Sequence, residues 1–232
     1  MLHLEKQRGI ITVLSHGYLK IPPPAFELIA GRKGVIFDLD GTLVDMEQAN
    51  YQMYLEVLRK MYGLEITEVE WVKFFTGRRP QESIPDFLKH RGKEQVEFDF
   101  EEFKRLAGPI KEDFIFNRLN EVASLIPGAK QFLERLRNSG KIELALATST
   151  IERFTRQILN HFGIGNYFDA ILTGESVSSG KPDPEIYLKT LEVLKLPPDI
   201  CLVFEDSQSG IKAALGAGIE VIRIQNHFSR CV

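Results

Sequence analysis

Two aspartates, Asp38 and Asp40, stand where the apolar run Gly34-Val35-Ile36-Phe37 ends, and a glycine, Gly41, follows at once. Alternation in extended chain turns both carboxylates to one side and Leu39 to the other. Gly41 lets the backbone turn sharply. Carboxylates that converge at a strand end are badly placed for a core and well placed for a site.

Further polar clusters follow later apolar runs. Leu144-Ala145-Leu146-Ala147 leads into Thr148-Ser149-Thr150, and Ala170–Leu172 into Thr173-Gly174-Glu175 and then Gly180-Lys181-Pro182-Asp183-Pro184. Leu202-Val203-Phe204 leads into Glu205-Asp206-Ser207. If these runs are parallel strands, all the clusters share one sheet edge. Carboxylates gathered there stay ionised only beside a cation. The donors are hard oxygens without clustered His or Cys, which selects Mg2+, an ion that also binds substrate phosphate. A lysine and hydroxyls beside it suit a phosphoryl group. One carboxylate can then attack phosphorus to form an aspartyl phosphate. Another can protonate the leaving oxygen and later deprotonate the attacking water. Structural alternatives stand beside these roles. Thr148 could cap a helix starting near Ile151, and Glu205 or Asp206 a helix starting near Gln208. Lys181 could be a surface loop lysine. Ser207 is assigned to capping rather than chemistry.

The elements that must position these groups follow from periodicity. From Pro127 onward, short apolar strands alternate with helices of about ten residues, the pattern of a parallel sheet with helices on both faces. Asp183 and Pro184 read as the N-cap and first residue of a helix reaching Leu194. Residues 46–124 instead read as all-helical. Tyr51, Tyr54, Leu55, Leu58 and Tyr62 recur at helical spacing before Gly63, Thr67-x-x-Glu70 resembles a capping box, and Phe100, Phe103, Leu106, Ile110 and Phe114 form a long stripe. The expected fold is α/β. A Rossmann-like core comprises 34–45 and 125–232, with a helical domain at 46–124 inserted after the first core strand. Residues 1–33 form an extension of uncertain role, with a possible strand at Ile10–Leu14 and a stiff Pro22-Pro23-Pro24 run.

Composition excludes several classes. The chain has 232 residues, a net charge of −3, 44% hydrophobic and 26% charged residues, the balance of a soluble globular protein. That charge gives no reason to expect nucleic acid or an anionic membrane as partner. No apolar run approaches the ~20 residues of a membrane helix. Two cysteines, Cys201 and Cys231, are too few for a disulfide framework, and a reducing cytoplasm is expected.

In order and spacing, Asp38-Leu39-Asp40-Gly41-Thr42-Leu43, Thr148-Ser149, Lys181 in Gly-Lys-Pro-Asp-Pro and Glu205-Asp206-Ser207 resemble the motifs of the haloacid dehalogenase superfamily. The resemblance spans about residues 34–224. It points to the branch holding phosphoglycolate phosphatase, sugar phosphatases and β-phosphoglucomutase. It implies Asp38 as nucleophile and metal ligand, and Asp40 as general acid/base with its carbonyl on Mg2+. Thr148 and the backbone of Ser149 would hold the phosphoryl oxygens. Lys181 would neutralise them and Asp38, and Asp206, with Glu205, would hold the metal. The insert would be a mobile cap, in which Arg78 or Arg79 is expected to meet an anionic or hydroxylated substrate, a solvated basic turn being the alternative. The expected activity is Mg2+-dependent hydrolysis of a small phosphorylated metabolite, by a monomer in preference to an oligomer. A phosphosugar mutase is the alternative; Met46, Asn50 and Pro80, at positions where mutases tend to carry a hydroxyl residue, a histidine and an arginine, count against it. A non-catalytic phosphate-responsive module is disfavoured by Asp40 and by the size of the insert. Relatives usually continue past the last core strand with another strand and helix, where this chain has only Gln225–Val232; either the chain is shortened or residues 1–33 supply the missing sheet edge or its cover.

Overall fold

The computed structural model describes residues 3–7, 10–14, 29–76 and 78–224. The Pro22-Pro23-Pro24 run, Gly77 and residues 225–232 lie outside them. In chain order the elements begin with β1 (His3–Gln7), β2 (Ile10–Leu14), β3 (Gly34–Phe37) and β4 (Val44–Asp45). Helices α1 (Glu47–Tyr62), α2 (Pro80–His90) and α3 (Phe100–Asn117) follow. Next come β5 (Ser124–Leu125), α4 (Ala129–Asn138), β6 (Glu143–Ala147), α5 (Glu152–Phe162) and β7 (Ala170–Leu172). The last are α6 (Glu185–Leu194), β8 (Cys201–Glu205), α7 (Gln208–Gly216) and β9 (Glu220–Arg223). Two compact units result: Met1–Asp45 with Ser124–Asn226, and a helical unit built on Met46–Ala123.

The main sheet runs β1-β2-β9-β8-β3-β6-β7. Every neighbouring pair from β2 to β7 is parallel. Only β1 runs antiparallel, against β2. Residues Ile10–Leu14 therefore supply the strand beyond β9, with Ile10 opposite Val221. The chain leaves β3 toward β6 and β7 on one side, then crosses to β8 and β9 on the other. The C-terminal end of β3 is thus the topological switch point, where such sheets bind their ligands.

Strand alternation buries both faces of the sheet. Ile36, Ala145 and Val203 join the cluster that holds Ile186, Tyr187 and Leu191 of α6 and Ile211, Ala213 and Ala214 of α7. Phe37 points the other way. It stacks on Phe204 at 4.9 Å and meets Phe132 of α4 edge-on at 6.0 Å. Continuous apolar runs such as Leu202-Val203-Phe204 are what two covered faces require. A two-stranded ribbon pairs Val44 with Leu125, at the two ends of the helical insertion.

The helical unit packs on aromatic rings. Tyr54 of α1 contacts Trp71, Phe75 and Phe103 at 5.2–5.3 Å between centroids. Trp71 Nε1 donates to Glu47 Oε1 at 2.7 Å, which supplies the partner a buried indole N–H needs. Thr67 and Glu70 form the expected capping box. The turn after it, Trp71–Phe75, is π-helical rather than α-helical. One N-terminus differs from expectation. The cap position of α6 is Pro184, not Asp183; Asp183 nonetheless accepts from Glu185 N at 2.9 Å, so it caps from one residue further out.

Candidate active site

Asp38 leaves β3 still tied to the sheet, its N–H donating to the Phe204 carbonyl at 3.0 Å. Leu39 is fully buried, and its carbonyl accepts from Leu43 and Val44 N–H, closing a tight turn. Gly41 sits there at φ +80°, a conformation that costs a side-chain-bearing residue dearly. The turn leaves Asp38 buried and Asp40 half-buried.

Lys181 arrives from the loop before α6. Glu185, in the first turn of α6, accepts from the N–H groups of Ser178 and Ser179 at 2.7–3.1 Å and from Lys189 at 2.7 Å, pinning that loop. Lys181 is not a surface residue. Its ammonium is buried and donates to Asp38 Oδ1 at 2.7 Å, Glu205 Oε2 at 2.8 Å and the Ala147 carbonyl at 3.0 Å. Burial works against its charge, but Asp38 and Glu205 outweigh that and hold its pKa well above the ordinary lysine value.

Glu205, at the end of β8, is 1% exposed and shares its oxygens among four donors. Oε2 takes Lys181 and Tyr187 Oη, each at 2.8 Å. Oε1 takes the Ser207 N–H at 3.1 Å and the Ser207 hydroxyl at 2.9 Å. Ser207 also caps α7, accepting from Gly210 N at 3.0 Å. Gly210 leaves the space that Glu205 fills: a Cβ there would overlap the Glu205 carboxyl group.

Thr148 does not cap α5. The cap position is Ile151, and the Glu152 N–H is met by Glu175 Oε2 at 2.7 Å. The Thr148 hydroxyl instead accepts from Thr150 N at 3.1 Å, and its own proton remains to donate to an anion. Ser149 is exposed beside it.

Asp38, Glu205 and Asp206 each offer a carboxylate oxygen within 4.8 Å of the others. Burial, then the charge of Glu205, pushes Asp38 up to about 8 in spite of Lys181. Burial and the Asp38 charge push Asp206 well above the usual carboxylate range. Such a cluster of hard oxygens, short of positive charge, fits a divalent cation.

The structure thus gathers Asp38, Asp40, Thr148, Ser149, Lys181, Glu205 and Asp206 into one unit, at one end of one sheet. Arg78 and Arg79 belong to the helical unit. There Arg78 pairs with Asp86 at 2.6 Å, and Arg79 is exposed at the cap of α2. Two contributors are visible only in the structure. Tyr187 lies among the apolar residues of α6 that pack on the sheet, fully buried, with its hydroxyl on Glu205. Thr150 reaches Asp40 across 110 positions of chain.

The model of the haloacid dehalogenase-like hydrolases matches residues 35–224. A phosphorylated carbohydrates phosphatase of Thermotoga maritima is 37% identical over 190 residues, 82% of this chain and 83% of that protein. A phosphoglycolate phosphatase of Pseudomonas fluorescens is 33% identical, over 86% of this chain and 73% of the relative. Among solved structures, a family IA variant 3 hydrolase from Entamoeba histolytica superposes with TM-score 0.70 at 27% identity, covering 86% of each chain. A β-phosphoglucomutase from Clostridium difficile superposes with TM-score 0.64 at 26% identity, covering 84% of this chain and 86% of that one.

Proposed function

The chain belongs to the haloacid dehalogenase-like hydrolases, and we propose that this phosphatase of small phosphate monoesters works through an aspartyl phosphate on Asp38. The observation that carries the proposal is the buried Lys181 bridging Asp38 and Glu205, beside a second carboxyl group, Asp40.

Asp38 Oδ attacks phosphorus as the bond from phosphorus to the leaving oxygen breaks, and Asp40 gives that oxygen a proton. Asp40, now a carboxylate, takes a proton from water. The water oxygen bonds to phosphorus, the bond from phosphorus to Asp38 breaks, and inorganic phosphate leaves. Lys181 and Thr148 donate to the phosphoryl oxygens, with the backbone of Ser149, and offset the charge the transfer spreads over them. Asp38, Asp206, Glu205 and the Asp40 carbonyl would hold Mg2+, which supplies charge neutralisation between carboxylate and phosphate.

The helical unit, inserted between β4 and β5, is proposed as the cap that selects the substrate. Arg79 is its candidate for a substrate anion or hydroxyl, and Arg78 a second that would have to leave Asp86. The relatives' names point to phosphorylated carbohydrates and phosphoglycolate. A monomer acting in the cytoplasm is proposed from the composition of the chain.

The test is inorganic phosphate release from a panel of phosphorylated metabolites with Mg2+. Turnover of at least one, lost with EDTA and restored by Mg2+, is expected. Turnover unaffected by chelation would remove the metal from the proposal. Conversion of β-glucose 1-phosphate to glucose 6-phosphate without phosphate release would make the protein a mutase.

A further inference from the structure

We infer that Thr150 is the residue that positions Asp40 as proton carrier, holding its carboxyl group in one orientation through both halves of the reaction. The inference rests on the assignment of Asp40 as general acid/base. Thr150 Oγ1 donates to Asp40 Oδ2 at 2.6 Å, a short contact between two half-buried side chains.

Everything else on Thr150 is already fixed. Its N–H donates to the Thr148 hydroxyl at 3.1 Å. Its carbonyl accepts from Gly174 N at 3.1 Å and from the Thr155 hydroxyl at 3.3 Å. The backbone of Thr150 is therefore locked to the loop that carries Thr148, and its side chain ties that loop to the Asp38–Asp40 turn. Asp40, the proton carrier, and Thr148, a hydrogen-bond donor to the phosphoryl oxygens, are thus tied together by one residue.

A neutral hydroxyl suits this task better than an ammonium. It donates to Oδ2 of the carboxylate, and equally to Oδ2 of the acid while the acid proton sits on Oδ1, free to be transferred. Asp40 must be an acid when the ester bond breaks and a carboxylate when water is activated. Thr150 can satisfy either form without moving a heavy atom. A lysine would disfavour the acid form by its charge, and a valine would delete the contact.

Loss of the contact should matter most when the leaving oxygen needs a proton most. The test compares kcat/KM for para-nitrophenyl, phenyl and para-methoxyphenyl phosphate, esters of similar size whose leaving groups become progressively poorer. In Thr150→Val the ratio of para-methoxyphenyl to para-nitrophenyl kcat/KM should fall about tenfold, the scale of one lost hydrogen bond to a charged group. Thr150→Ser should restore the wild-type ratio. Asp40→Asn should shift the ratio in the same direction and at least as far.

An unchanged ratio in Thr150→Val, with a shifted one in Asp40→Asn, overturns the inference and leaves the mechanism standing. An unchanged ratio in both removes Asp40 as the acid, and the inference with it. Thr150→Ala repeats the test if the valine disturbs the loop, and circular dichroism on each variant checks that the fold is retained.

Discussion

Lys181 Nζ lies 2.7 Å from Asp38 Oδ1, with both side chains nearly sealed from water, 4% and 9% exposed. The same nitrogen also meets Glu205, so one cation answers two carboxylates. Removing one member of a buried set leaves the others unpaired, at a cost of about 3–5 kcal/mol. Lys181→Met should therefore lose both stability, by about that amount, and at least a hundredfold in kcat/KM. Urea unfolding and steady-state kinetics measure the two. A variant with unchanged stability would mean that the triad is not held as the geometry indicates.

Gly210 should be irreplaceable for a reason of space. A Cβ on it would overlap the Glu205 carboxyl group, which cannot retreat without releasing Lys181, Tyr187 or Ser207. Overpacking of this kind costs roughly 1–3 kcal/mol. Gly210→Ala should lower the melting temperature and reduce turnover at least tenfold. Wild-type kinetics in that variant would show that Glu205 has room to move.

Tyr187 separates packing from polarity. Tyr187→Phe keeps the ring that lies 5.1 Å from the Lys181 ammonium and deletes only the hydrogen bond to Glu205. The expected loss is about 1–3 kcal/mol of stability, with turnover reduced through a less firmly held Glu205 and Lys181. Denaturation and kinetics of the purified variant check both, and no change in either would reduce Tyr187 to core packing.

The helical unit carries its own acid sensitivity. Burial raises the Glu70 carboxyl, but Arg91 and the Thr67 N–H and hydroxyl, all donating to it, outweigh that and hold its pKa at about 2, against an ordinary 4.5. A carboxylate depressed by folding contributes stability above its unfolded pKa. That contribution is lost as pH falls from about 4.5 toward about 2, because the unfolded chain then binds the extra proton. Glu70→Gln should remove this part of the acid-unfolding profile. Trp71, the chain's single tryptophan, lies next to Glu70 and reports the transition by fluorescence. Superimposable profiles for the two proteins would contradict the assignment.

Much of this was legible in the sequence, and what escaped has physical reasons. Continuous apolar runs ending at Asp38, Thr148 and Glu205 placed the strands, and a parallel sheet then had to bring their ends together. The β4–β5 ribbon escaped because two residues per strand carry no period. The π-helical turn at Trp71–Phe75 escaped because its apolar spacing is close to that of an α-helix. The Tyr187–Glu205 and Thr150–Asp40 contacts are tertiary, and local pattern says nothing of which hydroxyl a helix or loop will present to a distant carboxylate. That Lys181 is buried rather than solvated likewise follows only from the two acids around it.

The central claim is that Asp38 becomes phosphorylated. Acid quenching during turnover of para-nitrophenyl phosphate, borohydride reduction of any acyl phosphate and peptide mass spectrometry address it directly. The predicted result is homoserine at position 38 in the wild type, and neither that product nor turnover in Asp38→Asn. Steady turnover with residue 38 unmodified, or with the modification on another carboxylate, would contradict the account.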